Sequence, residues 1–119
     1  MQEEHKMPRA RLRVVLSDKA ALGPGKVGLL EAIGETGSIA AAGRKLGMSY
    51  KRAWNLVEAM NRDFAGGLVG TTRGGRDFGG AELTPAGRNV LEIYRAMEAR
   101  ANESVQSELQ LLSAMLGEP

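Results

Sequence analysis

Ser38-Ile-Ala-Ala-Ala-Gly-Arg-Lys-Leu-Gly-Met-Ser-Tyr-Lys-Arg-Ala-Trp-Asn-Leu-Val-Glu-Ala-Met-Asn-Arg-Asp-Phe64 is the stretch on which the fold turns. Ser38 follows Gly37 and can cap a short helix whose buried face would be Ile39, Ala42 and Leu46, while Gly47 permits the left-handed turn that ends it. Ser49 can then cap a second helix. At about 100° per residue, Ala53, Val57, Met60 and Phe64 share one stripe, with Leu56 and Tyr50 at its edges. The opposite side carries Lys51, Asn55 and Arg62, with Arg52 on the flank and Glu58 the only acid among them. Two helices joined by a short turn containing Gly, the second exposing Ser, Tyr, Lys, Arg and Asn in its first half, form a helix-turn-helix suited to a DNA major groove. Taken alone, the stretch also fits an ordinary helical hairpin with a solvated polar face.

Upstream, Val27, Leu30 and Ile33, with Leu29 alongside, recur at helical spacing and predict a first helix from Pro24 to Glu35, stopped by Gly34 and Gly37. Before it, Arg9, Arg11 and Arg13 alternate with Ala10, Leu12, Val14 and Leu16, the period of a half-buried strand with a basic outer face. Residues 1–8 are polar, end at Pro8 and are expected to be disordered. Gly25-Lys26 invites a phosphate-loop reading, but Ala20 stands where that motif needs its first glycine and Val27 replaces its hydroxyl residue.

Downstream, the β-prone pieces Leu-Val-Gly-Thr-Thr-Arg and Ala-Glu-Leu-Thr flank a glycine-rich segment, which reads as a hairpin with a long tip, the wing of a winged helix. Arg73 and Arg76 lie in or beside that tip, where glycine backbone would let a guanidinium reach phosphates or a minor groove; a merely solvated loop is the alternative. Asp77-Phe78-Gly79 coincides with a kinase triplet, but the chain has no room for the remaining kinase elements. Thr84 and Pro85 then open a helix predicted to run to about Leu116, with Leu91, Tyr94, Glu98, Ala101, Val105, Leu109, Leu112 and Leu116 on one side. That stripe is longer than so small a domain can cover. It predicts a second copy, with Leu91, Tyr94, Val105, Leu109, Leu112 and Leu116 as the dimer contacts. A break near Asn102, folding the last part back as a separate helix, is the competing reading. Trp54 stands to the side of the core stripe and is expected to pack against the first helix or the wing.

The 119 residues, 43% hydrophobic and 25% charged, suit one domain with a modest core. The expected division is a tail over 1–8, a winged helix-turn-helix over 9–83 and a dimerisation helix over 84–119. The fold class is therefore mainly α with a small β wing. With no cysteine and His5 the only histidine, neither a disulfide, a thiolate nucleophile nor a zinc site can be assembled, and no cofactor is expected. No apolar run approaches the roughly 20 residues that span a bilayer, and a cytoplasmic location is expected. Net charge is only +2, but residues 40–80 hold seven Lys/Arg against three acids, whereas residues 81–119 hold three arginines against six glutamates. This segregation is that of a DNA-facing surface opposed by an acidic one. The DNA contacts are assigned to Ser38, Arg44, Ser49, Tyr50, Lys51, Arg52, Asn55, Arg73 and Arg76. Because no paired carboxylates, nucleophile with a base or metal cluster emerge, an enzyme is not expected. The alternative to a DNA-binding regulator is a non-catalytic interaction and dimerisation module that partners a separate effector-sensing subunit.

At Gly37-Ser38-Ile39, Met48-Ser49-Tyr50-Lys51-Arg52-Ala53-Trp54 and Leu83-Thr84-Pro85-Ala86-Gly87, the sequence resembles the N-terminal DNA-binding domain of ModE-type molybdate-responsive regulators, a relative of the LysR-type winged helix. The likeness covers about residues 10 to 100, and Ser49-Tyr50-Lys51-x-Ala53-Trp54 followed by Glu58-x-Met60-Asn61 is its most specific part. The resemblance implies a dimeric transcriptional regulator on a palindromic operator. Members of that family carry C-terminal molbindin-like domains that hold the oxyanion, and this sequence reaches Pro119 without one. The expectation is that this polypeptide does not itself bind molybdate.

Overall fold

A helix that is apolar on most sides needs neighbours on most sides. The first helix, α1 (Pro24–Thr36), buries Val27, Leu29, Leu30, Ala32 and Ile33, and three later helices and the wing's second strand are laid against it. The computed structural model describes residues 7–72 and 80–117. A short pair of strands, β1 (Val14–Val15) and β2 (Ala21–Leu22), precedes α1. α2 (Ile39–Lys45) and α3 (Tyr50–Asp63) follow it, then the hairpin of β3 (Val69–Thr72) and β4 (Gly80–Leu83), then α4 (Pro85–Ser104) and α5 (Gln106–Ala114). This is the winged helix-turn-helix expected from the sequence. α1 passes through Gly34 and ends only at Gly37, so the first of the two predicted stops is not one.

The helix-turn-helix closes through the predicted caps. Ser38 accepts from the Ala41 amide at 3.0 Å and Ser49 from the Arg52 amide at 3.1 Å, while Gly47 takes the left-handed φ of 73° between them. The two helices cross where Gly43 meets Ala53: a Cβ on Gly43 would stand 3.2 Å from that of Ala53. Ala53, Val57 and Met60 are buried as the periodicity requires, and Phe64 packs beside them half-buried. Leu46, by contrast, is 41% exposed and is not part of the core face of α2. It lies past the last turn of that seven-residue helix, at its C-cap, so the helical projection no longer applies to it.

β3 and β4 pair antiparallel from Val69 opposite Leu83 to Thr72 opposite Gly80, forming the two arms of the wing. Residues 73–79 between them, with Arg73, Arg76 and Asp77-Phe78-Gly79, lie outside the described residues, as do 1–6 and 118–119. The wing is fastened to α4 at its root. Thr84 donates its hydroxyl proton to Gly67 O at 2.8 Å and accepts from the Gly87 amide at 2.9 Å, and its own amide reaches Leu68 O at 3.0 Å. Gly87 lies so close that an added Cβ would stand 2.1 Å from Leu68 O. The run Leu83-Thr84-Pro85-Ala86-Gly87 thus has a packing reason for its threonine and its last glycine.

The strand predicted over Arg9–Leu16 shrinks to Val14–Val15, which pairs with Ala21–Leu22. The alternation survives as far as Val14, with Ala10, Leu12 and Val14 half-buried and Arg9, Arg11 and Arg13 exposed, whereas Leu16 is 55% exposed, and residues 10 and 12 are held by α4. Asn102 on α4 accepts from the Ala10 amide at 2.8 Å and donates to Ala10 O at 2.9 Å. Tyr94 donates its phenol proton to Leu12 O at 2.5 Å.

The C-terminal helix is interrupted at Val105, whose φ of −114° and ψ of 19° leave the helical region. Asn102 and Ser104 both bond backbone carbonyls within the preceding turn, competing with a regular helix there. Val105 N still reaches Ala101 O and Leu109 N reaches Val105 O, so hydrogen bonding continues on both sides of the interruption. α5 buries none of its residues. Two of the predicted dimer contacts are corrected here. Tyr94 is 1% exposed and belongs to the core of its own chain, and Leu91 packs half-buried against the same core. Leu91 and Tyr94 of α4 are consumed within the domain, which the helical period cannot distinguish from a surface awaiting a partner. Val105 and Leu109 are half-buried, whereas Leu112 and Leu116 are exposed.

Candidate nucleic-acid interface

A helix N-terminus carries unsatisfied amides and the positive end of the macrodipole, and acids normally gather there. The first turn of α3 has none; it carries Lys51 and Arg52 instead. This arrangement forgoes a helix-stabilising interaction and leaves an electropositive end open to an anion. Tyr50, Lys51, Arg52 and Asn55 are exposed, and Ser49, Lys51, Arg52, Asn55 and Leu56 line a shallow depression of about 240 Å³. Among the described residues, the ion pairs join Lys45 to Glu35, Arg62 to Asp63, and Arg95 to Glu31 and Glu98. Arg44, Lys51 and Arg52 enter none of them.

Sequence assignments meet here unevenly. Ser49, Tyr50, Lys51, Arg52 and Asn55 fall together on the exposed first half of α3, and Arg44 is exposed at the end of α2. Ser38 is half-buried, with its hydroxyl oxygen committed to the α2 cap. Arg73 and Arg76 lie outside the described residues. Trp54 is not inside the core. It is 36% exposed, stacked on Tyr50 with ring centroids 6.3 Å apart, and lines an open groove with Val69 and Thr71 of β3.

Asn61 was missed as a working residue. Its Oδ1 accepts from the amides of Leu68 and Val69 at 2.7 and 3.0 Å, and its Nδ2 donates to Val69 O at 2.9 Å. One amide thereby ties the last turn of α3 to the start of the wing. The only signal in the sequence was its place in Glu58-x-Met60-Asn61, because a helical projection says nothing of a partner eight residues ahead.

Away from this face, Arg95 is held between Glu31 at 2.6 Å and Glu98 at 2.8 Å. Partial burial disfavours its charge, but hydrogen bonds and charges from the two carboxylates outweigh that and raise its pKa above the ordinary value. This cation is neutralised within the domain.

Residues 26–88 match the sequence profile of bacterial regulatory helix-turn-helix proteins of the lysR family. The chain is 51% identical over 80 residues to the molybdenum-pterin-binding protein MopB of Rhodobacter capsulatus, covering 67% of this chain and 30% of that protein. It is 38% identical over 109 residues to the molybdenum transport protein ModE of Azotobacter vinelandii, covering 92% of this chain and 39% of that protein. The chain therefore spans only 30% to 39% of the length of these relatives. Among solved structures, the CbnR DNA-binding domain in complex with DNA superposes with a TM-score of 0.57 at 26% identity, over 74% of this chain and 95% of that one.

Proposed function

The chain belongs to the lysR family of bacterial regulatory helix-turn-helix proteins, and from that premise we propose that it is a transcriptional regulator that binds double-stranded DNA sequence-specifically through α3. The observation that carries this reading is the exposed first half of α3, where Lys51 and Arg52 enter no ion pair among the described residues and stand beside Asn55. Lys51 and Asn55 suit base edges; Arg44, Arg52 and the positive helix end suit phosphates. Ser49 and Tyr50 belong to the same surface, and Ser38, Arg73 and Arg76, the last two outside the described residues, are assigned to DNA contact as well. The similarity to a domain solved in complex with DNA supports the DNA-binding reading.

The regulator acts as a homodimer on a palindromic operator, and exposed Ile93, Met97, Leu111, Leu112, Met115 and Leu116 on α4 and α5 supply the unpartnered apolar surface. The reading assigns no molybdate site to these residues. The test is fluorescence anisotropy with duplexes selected from random DNA, titrated across ionic strength. Selected duplex should bind more tightly than random duplex, and affinity should fall steeply with salt as counterions are displaced. Equal affinity for both, or indifference to salt, overturns the reading.

A further inference from the structure

Tyr50 and Trp54 stand one helical turn apart on α3, and their rings stack with centroids 6.3 Å apart and planes inclined by 21°. Neither is hidden: Tyr50 is 57% exposed and Trp54 36%. Around them the exposed residues of the same half-helix are Ser49, Lys51, Arg52 and Asn55, all hydrogen-bonding or charged. A contiguous aromatic surface set among polar residues, on the helix with the open positive end, needs an apolar counterpart. Within a DNA major groove the apolar feature of the base pairs is the C5 methyl group of thymine.

We propose that the Tyr50–Trp54 stack is a contact surface for thymine methyl groups, so that α3 reads methyls beside the hydrogen-bonding edges taken by Lys51 and Asn55. The proposal rests on the DNA-binding reading above and adds the base feature that is recognised. Stacking fixes the two rings with little conformational freedom, so a methyl meets a preformed face. Trp54 also walls the open groove of about 500 Å³ between α3 and β3 with Glu58, Arg62, Val69 and Thr71, and it retains exposed surface.

The experiment uses the whole chain and duplexes that it selects from random DNA. Each thymidine of the selected site is replaced in turn by deoxyuridine, which removes the methyl and keeps the pairing edges and the phosphates. Uracil at one or more positions should weaken binding roughly fourfold per methyl, the scale of one buried methyl group. Trp54→Ala and Tyr50→Ser should bind the thymine and uracil duplexes alike, a coupling that a purely structural role for the rings would not produce. Should Trp54→Ala fail to fold, Tyr50→Ser, at an exposed first helical position, decides. Wild-type protein that selects a site yet ignores uracil everywhere overturns the proposal while leaving DNA binding intact, as does discrimination undiminished in the folded variants. Failure to select any duplex removes the DNA-binding reading itself, and this proposal with it.

Discussion

The side-chain amide of Asn61 and the peptide of Val69 hydrogen-bond in both directions, Val69 N donating at 3.0 Å and Val69 O accepting at 2.9 Å. The recognition helix and the wing are therefore held in register by a side chain as well as by packing. Asn61→Asp keeps the acceptor and loses the donor, and Asn61→Leu loses both. The leucine variant leaves two partly buried amides unpaired and should lose about 1–3 kcal/mol in denaturant unfolding, more than the aspartate variant. Equal stability of all three proteins would show that solvent replaces these bonds.

Gly87→Ala provides a test of sign. Alanine in place of glycine inside a helix ordinarily stabilises by about 0.5–1 kcal/mol. Here the new Cβ would stand 2.1 Å from a backbone oxygen that cannot rotate away, so the helix must move off Leu68. Destabilisation of about 1–3 kcal/mol or more is expected. A raised midpoint in denaturant would mean that α4 shifts freely.

Tyr94 links stability to alkaline pH. Burial, and after it the charge of Glu98, raises its pKa above the ordinary 10.0, against smaller opposing effects of Arg95 and Arg11. A group whose folded-state pKa is raised contributes stability that is complete below the unfolded value and is lost as pH rises through the folded one. Unfolding free energy should thus decline above about pH 10. Tyr94→Phe should lose about 0.5–1.5 kcal/mol at neutral pH with the bond to Leu12 O and show a shallower decline above it. An unchanged alkaline slope would assign that decline to other groups.

For the interface, Lys51→Ala and Asn55→Ala should each reduce discrimination between selected and random duplex by roughly 1–3 kcal/mol if a base-edge contact is lost. Equal losses on both DNAs would reassign the residue to phosphate.

For the dimer, Leu112 and Leu116 are 63% and 77% exposed, so replacing both by Glu should leave the fold of the protomer unchanged. The double variant should sediment as a monomer and bind a full palindrome no better than a half-site. Wild-type protein that is itself monomeric would remove the dimer from the proposed function.

The helix-turn-helix was legible because its determinants are local: caps at Ser38 and Ser49, the turn at Gly47, and a stripe of Ala53, Val57 and Met60. What escaped depends on contacts distant in sequence. The Arg9–Leu16 alternation identified the buried side but not that a helix would cover it, because period two reports a half-buried extended segment and not its neighbour. The same blindness gave Tyr94 to a partner copy. Trp54 was expected against the first helix or the wing, and it stands beside the wing strand β3 while keeping exposed surface and stacking on Tyr50, a pairing the core stripe does not reveal.

The hydrogen bonds from Asn102 to Ala10 and from Tyr94 to Leu12 span 92 and 82 residues. Synthesis proceeds from the N-terminus, so residues 10–12 must wait for α4 before they can dock. During translation α1, α2 and α3 can assemble while residues 9–13 are still unanchored, and the exit of α4 from the ribosome supplies their hydrogen-bond partners. A nascent chain truncated before Tyr94 would keep its recognition helix yet leave Leu12 and Val14 uncovered, a form exposed to proteases and to self-association.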